Sequence, residues 1–253
     1  MKISNRHVYF VFIIIGSFFC LLSKQFNEQS KKSNPCSTIL NELTILEENT
    51  WKGLEPYGIS KEKCVESQKT EYEQYLQESK PKNIEPISDI TKKVIQPILT
   101  EFGLDANFPL IKSDRYLAAA IDHWIYIDES QFLALPKNVQ SFVIAHEIQH
   151  VLHQDHSTIS FMKNLLPENE KYIPKNQLNY DHPYLAYCRF TEMRADILVA
   201  TKNTQWAERY HEFADYMLQL MNGDVNGPAH PQNSERLQLA QNIKQQFAGL
   251  QQA

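Results

Sequence analysis

One pentapeptide constrains this chain more than any other feature. His146-Glu147-Ile148-Gln149-His150 follows directly on the apolar turn Phe142-Val143-Ile144-Ala145. The pattern Val139 to His153 reads as a helix, and on a helix of 3.6 residues per turn positions 146 and 150 share one face. Phe142, Val143, Ala145 and Ile148 surround that face, so the fold must take both imidazoles into its interior. Buried polar side chains need partners, and two histidines one turn apart can share a single ion. The spacing H-E-x-x-H therefore predicts a zinc site with His146 and His150 as ligands. Glu147, turned slightly aside, is the candidate general base acting on water.

Composition narrows the rest. Apolar residues make up 42% and charged residues 22% of 253 positions, enough for one sizeable globular core. A formal charge of −5 gives no basic footprint for nucleic acid. The 7 glycines form no phosphate-binding cluster, so nucleotide chemistry is not expected.

Lys2 and Arg6 precede an apolar run from Val8 to Leu22, too short to span a bilayer comfortably and typical of an export signal. Phe19 and Leu22 put bulky residues where a cleavage site needs small ones, so residues 1–23 read as a signal peptide or an uncleaved membrane anchor. The domain that follows is then exported, periplasmic or held at the membrane. In an oxidising compartment, Cys36 and Cys64 are the expected disulfide pair, with Cys188 left as a buried thiol.

Residues 24–85 read as a helical accessory region: a polar linker, a helix over 37–49, and a polar helical pattern over 60–80. Residues 86–253 form the second domain. Ser88 caps a predicted helix that runs to Phe102, with Gly103 as its stop and Pro97 as an expected kink or break. Ala118 to Ile127 is β-branched and aromatic enough for a strand. Further helices are expected over 191–200, 206–221 and from about Ser234, and His182-Pro183 reads as a plain loop. The fold class is α+β, predominantly helical, with a small sheet beside the H-E-x-x-H helix.

A catalytic zinc needs a third protein ligand and an open position. Two residues compete. If 189–196 is helical, Glu192 and Asp196 share a face, with Glu192 free to bind metal and Asp196 free to fix an imidazole tautomer. The alternative is His156, ten residues after His146, at the spacing H-E-x-x-H-x-x-G-x-x-H but with His153 in place of the turning glycine.

Three blocks in order, Ala145-His146-Glu147-Ile148-Gln149-His150, Arg189-x-x-Glu192-x-x-Ala195-Asp196 and His230-Pro231-x-x-x-x-Arg236, resemble the gluzincin family that includes the HtpX heat-shock protease and the CAAX prenyl protease. The resemblance spans roughly Ala118 to the end, and departs from the family at Gln149, where glycine is usual. It implies a zincin-like metallopeptidase with one Zn²⁺ per chain, Glu192 as third ligand and Asp196 behind a ligand. It also implies His230 steadying the tetrahedral intermediate, and Arg236 organising that region. Zincins commonly bind an extended peptide along an edge strand, which makes Ile121, His123 and Ile125 candidate substrate contacts. The expected partner is a protein or peptide substrate. The rival from another class is an exported zinc-binding scaffold or chaperone that does not cut; Glu147 is a residue such a scaffold would not need.

Overall fold

The computed structural model describes residues 35–67, 85–121, 123–166, 182–220 and 229–250. Helix α1 (Pro35–Leu54) buries Ile39, Leu43 and Leu46, one stripe at helical spacing. It ends in a 3₁₀ turn, Glu55–Tyr57, closed by Gly58 in the left-handed region at φ 73°. Helical backbone resumes over 61–67. Helix α2 (Asp89–Glu101) starts where the Ser88 hydroxyl accepts from the Thr91 N–H, and Gly103 follows its end at φ 82°. The expected break at Pro97 is absent: the helix runs through it unbroken.

Three short strands make one sheet: β1 (Leu110–Lys112), β2 (Ala118–Ile121) and β3 (Trp124–Ile127), in the order β1-β3-β2. β1 pairs parallel with β3, and β2 antiparallel, with Ala118 opposite Ile127 and Ile121 opposite Trp124. The single strand expected over 118–127 is thus a hairpin, with His123 in its turn. Ile125 lies on the central strand with no exposed surface, so it belongs to the core and cannot meet a substrate. The strand next to the motif helix is β2.

Asp128 caps helix α3 (Glu129–Ala134) by accepting from the N–H groups of Ser130 and Gln131. Helix α4 (Lys137–Leu152) carries the H-E-x-x-H motif and is buried nearly all round, with Phe142, Ile144, Ala145 and Ile148 wholly inside. An interior helix needs no polar face. Helices α5 (Asp155–Leu165), α6 (Pro183–Ala200), α7 (Thr204–Leu220) and α8 (Asn233–Leu250) complete the described chain. The His182 ring accepts from the Tyr184 N–H and Pro183 takes the first turn of α6, so this pair is a helix start rather than a loop.

Helices α4, α6 and α7 pack on one another, with α8 against α7 and α1 against α6. One apolar cluster joins Leu43 of α1, Leu99 of α2, Ile127 of β3, Phe142 of α4, Phe190 of α6 and Trp206 of α7. Residues 35–67 therefore share the core of the motif helix. Cys64 and Cys188 are buried free thiols, so Cys64 is not half of the expected bridge. Packed among Leu54 and Ile59 in that core, Cys64 serves as a small apolar residue. Among the described residues no helix is long and apolar enough to cross a membrane. Residues 1–23 lie outside them.

Candidate metal centre

The burial of α4 brings His146 and His150 inward with 7% and 9% of their surface exposed. Their Nε2 atoms face each other at 2.9 Å. From α6, Glu192 closes the group: Oε2 lies 3.4 Å from His146 Nε2 and Oε1 3.5 Å from His150 Nε2. The three side chains can hold a metal ion. Tetrahedral ligands at 2.0–2.1 Å from a metal stand about 3.3 Å from one another. Both Glu192 edges match that separation; the imidazole pair is tighter.

The outer nitrogens explain why Nε2 is the free end of each ring. His146 Nδ1 lies 2.8 Å from Asp196 Oδ1, and His150 Nδ1 lies 2.8 Å from Asp155 Oδ2. A carboxylate accepts, so each Nδ1 carries the proton and each Nε2 presents a lone pair to the other. Two facing lone pairs beside a carboxylate attract positive charge. Burial opposes a charge on His146, but hydrogen bonds to Asp196 and Glu192 outweigh it and push its pKa up to about 9. Burial likewise opposes ionisation of Glu192, yet its hydrogen bonds with His146, His150 and His230 hold it well below the usual carboxylate range. The two imidazole nitrogens and the carboxylate oxygen converge within reach of one ion, and this donor set fits a divalent metal.

Glu147 stays outside the ligand group. Its Oε2 accepts from the Ala120 backbone N–H at 2.7 Å, which ties it to strand β2. An open cleft of about 210 Å³ runs past it, walled by Leu117, Ala118, Val143, Phe213 and Met217 opposite the polar cluster. His230 stands at the rim, half-exposed, with Nδ1 3.0 Å from Glu192 Oε2. Arg236 is buried and bridges two acids, donating from Nε to Asp196 Oδ2 at 2.8 Å and from a terminal nitrogen to Glu192 Oε2 at 3.0 Å. Tyr210 adds a third donor to Asp196, at 3.3 Å.

His156 does not join the group. The chain does make the sharp turn that a ligand there would need, one residue later than expected: Gln154, not His153, takes positive φ at 52°. That turn returns Asp155 to His150. Gln149 is buried within an unbroken α4, so the departure from glycine leaves the helix continuous. Ile121 ends β2 beside the hairpin turn that holds His123, and neither lines the cleft.

Sequence reasoning missed Asp155, Arg194, Tyr210 and the Ala120 N–H. An acid five residues beyond His150 was the one sign of the first that the sequence carries.

No protein-family model, curated protein or solved structure matches this chain.

Proposed function

We propose that this chain is a zinc-dependent metalloendopeptidase of the gluzincin, zincin-like type. The observation that carries the reading is the convergence of His146, His150 and Glu192 while Glu147, next in sequence to one ligand, stays outside the group on the cleft wall, held by the Ala120 N–H. Two nitrogens and one oxygen are a donor set that suits zinc, and three ligands leave a position open. Zinc held there supplies Lewis acidity, which polarises a carbonyl and lowers the pKa of water towards neutrality.

The chain's own residues supply the rest. Glu147 takes the proton of the attacking water and delivers it to the leaving amine. The Ala120 N–H holds Glu147 in place for both transfers. His230, at the rim, donates to the oxyanion, and Arg236 keeps Glu192 and Asp196 in position. An extended peptide lies along the outer edge of β2 beside Ala118, with the Ala120 N–H kept on Glu147. The apolar wall of the cleft takes a side chain beside the scissile bond. With residues 1–23 as signal or anchor, the substrate is a protein segment outside the cytoplasm, exported or membrane-associated.

Zinc content and casein cleavage, measured on the full chain and on Glu147→Ala, test this. About one zinc in each and cleavage by the parent alone is the expected result. Zinc in both with no cleavage by either would favour a binding scaffold. No zinc in either would end the reading.

A further inference from the structure

Each imidazole of the cluster is backed by its own acid and its own arginine. Behind His146 stand Asp196 and Arg236, and behind His150 stand Asp155 and Arg194. The second set was not foreseen from sequence, and nothing in the proposed reaction uses it.

We infer that Asp155, locked by Arg194, is the positioning residue that fixes His150 as a metal ligand. This rests on the metal-binding reading of the same cluster. Asp155 has 3% of its surface exposed and divides its two oxygens: Oδ2 accepts a hydrogen bond from His150 Nδ1–H at 2.8 Å, and Oδ1 accepts one from a terminal N–H of Arg194. An acid needed only to neutralise Arg194 would have no reason to spend an oxygen on the ring. The ring proton is thereby committed to Nδ1, which leaves Nε2 as the donor.

The backbone is bent to achieve this. Gln154 is the one non-glycine residue with positive φ among those described, a conformation that is sterically unfavourable for a residue with a Cβ. It makes Asp155 the first residue of α5, where the helix N-terminus favours a negative charge.

Arg194 sits on α6 two residues after Glu192, so one helix delivers both the third ligand and the lock on the second. Its guanidinium lies 5.2 Å above the Phe190 ring. Glu47 of α1 lies near enough for the Arg194 charge to help lower its carboxyl. Trp51 of the same helix meets Tyr187 with ring centroids 5.0 Å apart. Helix α1 thus forms the back wall of the lock.

The test uses the full chain, with Asp155→Asn and Arg194→Lys, and reads zinc affinity by competition with a chromophoric chelator. The visible spectrum of the Co²⁺-loaded protein is the second readout, and melting of the chelator-treated proteins reports folding. Asp155→Asn should weaken zinc about 10- to 100-fold and alter the cobalt spectrum. Arg194→Lys, which keeps the charge but loses the fork, should show a smaller loss in the same direction, and it decides the matter if Asp155→Asn does not fold. Parental zinc affinity and cobalt spectrum in the folded variants would overturn the inference and leave the metal centre standing, even if melting fell. A parent chain that binds no zinc would remove both.

Discussion

Ala120 donates its backbone N–H to Glu147 at 2.7 Å, linking the edge of the sheet to the acid that follows the first histidine of the motif. Because that N–H points to Glu147, it is not spent on β3, and a proline there removes the donor without breaking the ladder. Ala120→Pro should therefore fold and keep its metal. A hydrogen bond to a charged group contributes about 1.5–3 kcal/mol, so kcat should fall roughly 10- to 100-fold. Glu147→Gln, which removes the proposed base, should lose about 10²- to 10⁴-fold. Single-turnover cleavage of a fluorogenic peptide checks both. Unchanged kcat in Ala120→Pro would disconnect the strand from the base.

Metal choice follows from the donors. Two imidazole nitrogens and a carboxylate oxygen suit zinc or cobalt, whereas magnesium prefers an all-oxygen octahedron. Activity lost to a chelator should return with Zn²⁺ or Co²⁺ and not with Mg²⁺. Zinc at about 1,000 times its Kd should add about 4 kcal/mol of stability, a rise in melting temperature on the order of 8–16 °C for a chain of this length. Melting curves that ignore zinc would contradict the site.

Glu192 and His156 make opposite predictions as third ligand. Glu192 also receives His230 and Arg236, each at 3.0 Å, so Glu192→Ala should abolish zinc binding and leave a buried arginine short of a partner. Breaking a buried pair in this way costs about 3–5 kcal/mol. His156→Ala should retain about one zinc per chain. Zinc stoichiometry and urea midpoints separate the two residues, and zinc lost only from His156→Ala would reverse the assignment.

What could be read in advance followed the range of the interaction. His146 and His150 were legible because one helical turn joins them, and the apolar residues before them announced a buried helix. Ser88 and Gly103 marked the ends of α2 because capping is local. Glu192 is 42 positions beyond His150, and only the ordered blocks pointed to it. The hairpin was hidden because a run of apolar residues on either side of His123 has the period of one strand. The parallel partner β1, three residues long, leaves no pattern to detect. Asp155 was hidden differently: the count of histidines drew the eye to His156, and the left-handed turn at Gln154 that selects its neighbour is not a preference glutamine advertises.

The buried thiols give a prediction at alkaline pH. Burial raises Cys64 to about 11 and Cys188 to about 12, with the Glu62 charge adding to the first. Both should stay protonated at pH 8, and iodoacetamide should label them only after unfolding. The linkage has a definite sign. Each folded pKa lies above the ordinary value near 9, so the folded chain holds protons the unfolded chain has released. The stability this contributes is complete below pH 9 and is lost as pH rises through 11 and then 12. Melting temperature should therefore fall between pH 9 and 11 more steeply for the parent than for the double variant Cys64→Ala, Cys188→Ala. Fast labelling of Cys64 or Cys188 in the folded chain at pH 8, located by peptide mapping, would mean those thiols are not enclosed, and the shared core joining α1 to α6 would have to be redrawn.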